Sequence, residues 1–126
     1  ILNSIDDVKR TVENLKKKYR VIEEDNYIDT PQGDYRSHHL IIEHNGKQKE
    51  IQVRTANQDT FADWAHDVYK PRTPEQLAAV ERGAKEIASY SKQAADHLFS
   101  KDSGQAPPDP PMPPCTRLVK EAVGCI

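Results

Sequence analysis

The sequence has no long hydrophobic run and no excess of positive charge. None of its apolar stretches approaches the roughly 20 residues that a membrane-spanning helix needs, and its first residues lack the basic-then-apolar pattern of a signal peptide. The formal net charge is -2, so composition gives no general signal for a DNA-binding or membrane-binding surface. The chain does not begin with Met, and we expect it to be a piece of a longer protein.

Cysteine is also scarce. Cys115 and Cys125 both lie near the C-terminus and match no zinc-binding spacing. A single pair in a tail does not make a disulfide framework. We therefore expect both to be inert tail residues, and we expect a cytoplasmic protein in a reducing setting.

Hydrophobic periodicity predicts three helices. After an N-cap at Ser4, residues 5–19 carry apolar side chains at steps of three and four. Residues 57–70 form a second such pattern. An N-cap followed by proline opens a third helix over residues 74–100, whose apolar stripe includes Ser91. We expect this last helix to pack on the core or to form the contact of a homo-oligomer, and we assign no chemistry to it.

The C-terminal part differs in composition from the rest. Residues 103–114 read SGQAPPDPPMPP, which predicts an extended, solvated linker. The last twelve residues could form a short helix. We therefore divide the chain into a domain over residues 1–102 and a proline-rich linker and tail over residues 103–126.

The clearest local signal is a β-hairpin. Residues 39–44 and 48–54 are strand-like and flank Asn45-Gly46, the favoured centre of a type I′ turn. Residues 21–28 read as another extended segment, and residues 30–34 read as a loop. We predict a mixed α/β fold, more specifically α+β, in which this hairpin belongs to a sheet that helices cover.

The register of the hairpin sorts its side chains onto two faces. If Asn45-Gly46 is the turn, His39 lies opposite Gln52, and alternate residues share a face. The core face then carries Leu40, Ile42, Ile51 and Val53. The other face carries His39, Glu50, Gln52 and Arg54, with Ser37 opposite Arg54.

The polar face has two interpretations. It could be the solvated outer side of an antiparallel sheet, which is commonly polar. Alternatively, a carboxylate beside basic groups can hold Mg²⁺ or act as a base on a hydroxyl. Helices at both ends of the hairpin favour a covered, functional face.

Three short segments carry a family resemblance. Residues 27–39 read YIDTPQGDYRSHH, residues 50–55 read EIQVRT, and residues 64–70 read WAHDVYK. In order and approximate spacing they resemble the D-Y-I…Y-R-S-L-H segment, the E-I-Q-I-R-T strand and the E-H-x-x-Y-K helix of RelA/SpoT-type (p)ppGpp synthetases. The resemblance covers residues 4–70 and implies a nucleotidyltransferase-like mixed sheet.

The resemblance implies an activity and site residues. Such synthetases transfer pyrophosphate from ATP to the 3′-hydroxyl of GTP or GDP, with Mg²⁺, and this chain would supply the acceptor-nucleotide half. Glu50 would be the catalytic carboxylate and metal ligand, with His39 as a second catalytic residue, and Tyr35 would stack on the acceptor base. The other acceptor-binding residues implied are Arg36, Ser37, Lys47, Lys49, Gln52, Arg54, His66, Tyr69 and Lys70.

The sequence also departs from the family pattern. Asp34 stands where the family usually has glycine, His38 replaces a leucine, and Thr30 and Gln32 change the loop. The ATP-binding basic motif, the second metal-binding carboxylate and the separate hydrolase domain are all missing from the sequence. We therefore expect the isolated chain to be inactive and to have no hydrolase activity.

Two alternatives stay open. One is a non-catalytic nucleotide-binding or regulatory module. The other is a toxin-type synthetase whose acceptor is an adenine nucleotide or tRNA.

Overall fold

The computed structural model describes residues 1–31, 33–105 and 113–126. Gln32 of the predicted loop and residues 106–112 of the predicted linker lie outside the described residues. Within the described ranges the chain forms five helices and a three-stranded antiparallel sheet, which confirms the α+β prediction. No helix among these residues is long and apolar enough to cross a membrane.

The first helix, α1 (Ile5–Lys18), begins where the sequence predicts. The Ser4 hydroxyl accepts a hydrogen bond from the backbone N–H of Asp7 at 3.1 Å. Lysines in the last turn lie at the negative end of the helix dipole. The buried side of α1 carries Val8 and Val12, so the helix covers one face of the sheet.

The sheet has the order β1-β2-β3, with β1 (Arg20–Asn26), β2 (His38–His44) and β3 (Lys47–Val53). The predicted hairpin register is confirmed, because His44 lies opposite Lys47 and His39 opposite Gln52. Both turn residues adopt positive φ, 54° for Asn45 and 74° for Gly46, as a type I′ turn requires.

The extended segment predicted over residues 21–28 ends earlier than expected. The Asn26 side-chain oxygen accepts hydrogen bonds from the backbone N–H groups of Ile28 and Asp29, both at 3.1 Å. An asparagine that bonds to the backbone two and three residues further on makes a turn. The strand therefore ends at Asn26.

One parallel contact joins the N-terminus to the end of β3. Leu2 forms a parallel bridge with Thr55, in which Leu2 donates to the Arg54 carbonyl at 3.0 Å and accepts from the Ala56 N–H at 2.8 Å. The named strands are all antiparallel. In the described part of the chain, the prediction of a mixed sheet therefore depends on this one parallel bridge.

Four further helices follow the sheet: α2 (Ala56–Tyr69), α3 (Pro74–Arg82), α4 (Ala84–Asp102) and α5 (Arg117–Val123). The prediction of one continuous helix over residues 74–100 is wrong, because the helix is interrupted at Gly83. A Cβ atom at Gly83 would lie 3.3 Å from the Cβ of Leu118. Glycine therefore lets α5 approach closely at the break, a tertiary contact that the unbroken apolar stripe conceals.

The helices enclose a second hydrophobic core, separate from the one under α1. The indole of Trp64 donates a hydrogen bond to the Gly124 carbonyl at 2.9 Å, which fixes the last residues of the chain against α2. The buried members of this second core are Phe61, Trp64, Ile87, Tyr90, Ala94, Ala95, Leu98, Val119 and Ala122.

The prediction of two inert cysteines is wrong. Cys115 and Cys125 form a disulfide whose sulfur atoms are 2.01 Å apart. The seven residues of α5 lie between them, and the flanking segments turn back so that the two Cα atoms are 6.0 Å apart. Sequence spacing alone does not reveal this return of the chain.

Candidate functional site

The face of the sheet opposite α1 carries the polar residues that the register predicts. Glu50 and Gln52 alternate with core residues along β3, and both are exposed. The Gln52 side-chain amide donates a hydrogen bond to Glu50 Oε1 at 2.7 Å. Within the described residues, the expected helical cover is not found over these two side chains, and the Glu50 side chain is exposed.

On this face and beside it, four side chains form a continuous hydrogen-bonded chain. Arg54 donates from one nitrogen to the Tyr35 hydroxyl at 2.9 Å and from another to Asp59 at 2.7 Å. The Tyr35 hydroxyl also contacts Nε2 of His39 at 3.0 Å. Because a guanidinium can only donate, the Tyr35 oxygen accepts from Arg54.

His39 is a half-buried member of this chain. Burial lowers the pKa of His39, and the positive charge of Arg54 lowers it further, although nearby Glu50 opposes both effects. The neutral imidazole is therefore favoured near pH 7, and one of its two tautomers bonds to the Tyr35 hydroxyl through Nε2.

The pKa of Arg54 is shifted in the opposite direction to that of His39. Burial by itself would lower the pKa of Arg54, but the hydrogen bonds to Tyr35 and Asp59 and the charge of Asp59 outweigh burial and raise it. The guanidinium thus stays charged while it holds the Tyr35 hydroxyl.

Tyr35 also borders a cleft of about 390 Å³ between the loop at residues 33–35 and α2. Tyr69, which is 77% exposed, lines the same cleft. Its walls are formed by Gly33, Asp34, Tyr35, Phe61, Ala62, Ala65 and Tyr69. Tyr35 therefore connects the cleft, through its hydroxyl, to the polar network beside Glu50.

Two of the predicted acceptor-binding residues make contacts within the chain. Arg36 donates a hydrogen bond to the Ile28 carbonyl at 3.0 Å, and its guanidinium lies 3.9 Å from the centre of the Phe99 ring. Ser37 is fully buried and donates to the Val53 carbonyl at 3.3 Å. Arg36 thus ties the loop to the turn after β1 and to α4, and Ser37 ties it to β3.

The remaining predicted residues are not brought together with Glu50. Lys47 and Lys49 alternate with Glu50 along β3, so they lie on the face that α1 covers, near the hairpin turn. His66 and Lys70 are exposed at the end of α2, and the cleft lining does not include them. Of the α2 residues named from the sequence, Tyr69 is the one that the structure places beside Tyr35.

Sequence reasoning missed Asp59 and Tyr27. Asp59, in the first turn of α2, forms an ion pair with Arg54, which lies just before the N-cap of that helix. An acidic residue in the first turn of a helix that follows an arginine could have indicated this pair from the sequence. Tyr27 packs edge-on to His39 with ring centres 5.2 Å apart. It belongs to the first motif, but its role depends on the turn that follows β1.

Glu50 is the residue that the resemblance implies for Mg²⁺. Among residues 1–31, 33–105 and 113–126, no group of three or more His, Cys, Asp or Glu is placed to hold a metal ion. Mg²⁺ typically takes one or two carboxylates and completes its shell with water and substrate phosphates. Glu50 fits this pattern as a single protein ligand, because its carboxylate is exposed.

The chain is an α+β domain in which Tyr35 lies between an open polar sheet face and a cleft of about 390 Å³. Residues 1–74 match the family model described as "Region found in RelA / SpoT proteins". The match covers more than half of the chain, which therefore belongs to the RelA/SpoT family. Membership implies in general terms a (p)ppGpp synthetase-type function, that of a nucleotide pyrophosphotransferase. Neither a curated protein nor a solved structure shows significant similarity to the chain.

Proposed function

We propose that this chain supplies the acceptor-nucleotide half of a pyrophosphate-transferring synthetase. The observation that carries the proposal is the double role of Tyr35. The residue lines the cleft, while its hydroxyl is held by Arg54 and His39. A base stacked on Tyr35 would direct its ribose and phosphates toward the open face that carries Glu50.

The cleft suits a guanine nucleotide, GTP or GDP, through its aromatic walls. Stacking on an aromatic side chain contributes about 1–3 kcal/mol per base. Tyr35 is held in place by its hydroxyl, and Tyr69 is exposed and free to meet the other side of the base. An adenine nucleotide or the end of a tRNA is the alternative acceptor.

The proposed reaction is an in-line displacement at the β-phosphorus of ATP. The 3′-hydroxyl oxygen of the acceptor forms a bond to that phosphorus, the bond to the bridging oxygen of the α-phosphate breaks, and AMP leaves. Glu50 accepts the proton of the hydroxyl. Mg²⁺, when bound by Glu50 and the nucleotide phosphates, would offset the charge that develops on the phosphoryl oxygens.

The donor ATP would bind to a part of the protein outside this chain. Because Leu2 pairs in parallel with Thr55, a segment that extends this pairing toward the N-terminal side would lie along β3 beside Glu50. A carboxylate on such a strand would be the second metal ligand that nucleotidyl-transfer chemistry needs. The bridge between Leu2 and Thr55 supports this placement.

Nucleotide binding is tested most cleanly at Tyr69. Because its side chain is 77% exposed, Tyr69→Ala should leave the fold intact and weaken GDP binding about 10-fold. Leu77→Ala, on α3, removes another exposed apolar side chain (46% exposed) that lines neither the cleft nor the sheet face, and it should leave affinity unchanged. Tyr35→Ala should weaken binding by about 10- to 100-fold. Wild-type affinity in both tyrosine variants would overturn the proposal.

The reaction itself is tested by incubation with ATP, GTP and Mg²⁺, with detection of AMP and a 3′-pyrophosphorylated product. The 126-residue chain should give no turnover, and a protein extended at the N-terminus by a donor half should give turnover. In that longer protein, Glu50→Gln should abolish transfer. Loss of general-base assistance alone is worth about 10²–10⁴ in rate.

A second candidate function is a non-catalytic nucleotide-binding module. The observation that favours it is the position of His39, whose Nε2 faces the Tyr35 hydroxyl rather than Glu50. Absence of AMP formation in the extended protein, combined with retained GDP binding, would favour this second function.

A further inference from the structure

α4 lies beyond residues 1–74, the part that matches the family, yet it contacts the loop that carries Tyr35. The Ser91 hydroxyl donates a hydrogen bond to Asp34 Oδ2 at 2.7 Å. Two turns further along, the Phe99 ring lies under the guanidinium of Arg36. The same helix thus reaches the chain on both sides of Tyr35.

A third contact ties the end of α4 to the start of α2. Asp102 is buried and accepts hydrogen bonds from the Thr55 hydroxyl and, at 2.8 Å, from the Asn57 amide. α4 is therefore fixed to the same helix that forms the opposite wall of the cleft. Ser91 therefore lies on a helix that is anchored to α2 at its C-terminal end.

Ser91 is the polar member of the otherwise apolar stripe of this helix. One turn before it and one turn after it, Ile87 and Ala94 are buried in the helical core. Packing alone would favour another apolar residue at this position. The hydroxyl instead meets a carboxylate, and a hydrogen bond to a charged group is among the stronger ones.

The pair formed by Ser91 and Asp34 stands where two clefts meet. A groove of about 280 Å³ between α2, α3 and α4 adjoins the cleft beside Tyr35. Both share the lining residues Asp34, Ala65 and Tyr69. The position of the Asp34 side chain therefore shapes the wall next to Tyr35.

We infer that Ser91 is a positioning residue for the nucleotide site, acting through Asp34 on Tyr35; the inference rests on the proposed function. Gly33 precedes the pair with φ at +61°, and glycine gives this loop little conformational restraint of its own. The bond from Ser91 restricts Asp34, and the adjacent Tyr35 is thereby held for stacking before ligand arrives. Such preorganisation raises affinity because less conformational entropy is lost on binding.

The inference is tested by two measurements on the 126-residue chain. Ser91→Ala should accelerate amide hydrogen exchange at Asp34 and Tyr35 and should weaken GDP binding about fivefold, the worth of one hydrogen bond. Ser91→Thr, which keeps a hydroxyl, should restore both. Ser89→Ala is the matched control, since Ser89 lies on the same helix, is exposed, and accepts a hydrogen bond from Gln93.

A double-mutant comparison separates positioning from general stability. In an Asp34→Ala background, Ser91→Ala should have no further effect on GDP affinity. Equal affinity of wild type and Ser91→Ala would overturn the inference while leaving the proposed function intact. If the wild-type chain bound no GDP, faster exchange in Ser91→Ala would show a purely structural contact, and both the proposed function and the positioning role would fall.

Discussion

Arg54 donates a hydrogen bond to the hydroxyl of Tyr35, a residue 19 positions earlier in the chain, at 2.9 Å. The contact joins the end of β3 to the loop that borders the cleft. Because Arg54 also pairs with Asp59 on α2, one guanidinium sets the relative positions of strand, loop and helix. The geometry of the proposed base-stacking site depends on this residue.

Arg54→Lys should destabilise the protein, because a single ammonium cannot reproduce the two directed bonds of a guanidinium. We expect a loss of about 1.5–3 kcal/mol in the free energy of unfolding, measured by urea denaturation. The control is Arg82→Lys, which alters an exposed ion pair with Glu121; exposed pairs contribute about 0–1 kcal/mol. Equal losses in the two variants would contradict the role given to Arg54.

The stability of the chain should depend on the protonation of His39. Since burial lowers the pKa of His39 below its ordinary value of 6.5, the unfolded chain binds a proton more readily than the folded chain. Stability is therefore complete above pH 6.5 and falls as the pH drops below it. Between about pH 8 and about pH 5, wild type should lose more unfolding free energy than His39→Asn. Parallel losses in the two proteins would contradict the half-buried, neutral imidazole.

An ionic contact centred on Glu24 joins α1 to the sheet. Glu24 Oε1 is 2.6 Å from Nε2 of the buried His38 and 2.7 Å from Nζ of Lys16. The hydrogen bond from Lys16 lowers the pKa of Glu24; burial opposes this, and His38 adds to the lowering. Glu24 therefore contributes stability above pH 4.5, which is lost as the pH falls through its lower, folded-state pKa. Near pH 7, the free energy of unfolding of Glu24→Gln should be lower than that of wild type, and this difference should shrink in acid. A difference in unfolding free energy that does not change with pH would contradict this account.

The hairpin was predictable in detail because its signals are local. Asn45-Gly46 fixes the turn type, and the period-two pattern then fixes which side chains share a face. Tyr35, His39 and Arg54 were named from the sequence, and the structure brings them into direct contact. Their chemical roles stay predictions.

The features that sequence reasoning missed depend on distant contacts. Gly83, at the break between α3 and α4, is where α5 packs closely, and Ser91 meets an acidic side chain 57 residues earlier. His38, where the family has leucine, remains buried because Glu24 on the neighbouring strand satisfies it. None of these partners lies within the window that a hydrophobic pattern covers.

The disulfide should stabilise the C-terminal helix. Cys115 and Cys125 are separated by 10 positions, and closing a loop of that size in the unfolded chain is worth about 2–3 kcal/mol. Reduction with dithiothreitol should lower the free energy of unfolding by this amount. The double variant Cys115→Ser/Cys125→Ser should have the lower stability from the outset and be insensitive to reductant. Two free thiols in the untreated native chain would contradict the bond.

The central claim is that the nucleotide binds between Tyr35 and Tyr69. It is tested most directly by titration of the isotopically labelled chain with GDP, followed by nuclear magnetic resonance. The claim predicts chemical-shift changes concentrated at Gly33, Tyr35, Ala62, Ala65 and Tyr69, the residues around the 390 Å³ cleft. A separate cleft of about 350 Å³ lies between α1 and β1, where Lys9, Lys16 and His38 are found. Shifts confined to that second cleft, or no shifts at saturating GDP, would contradict the claim.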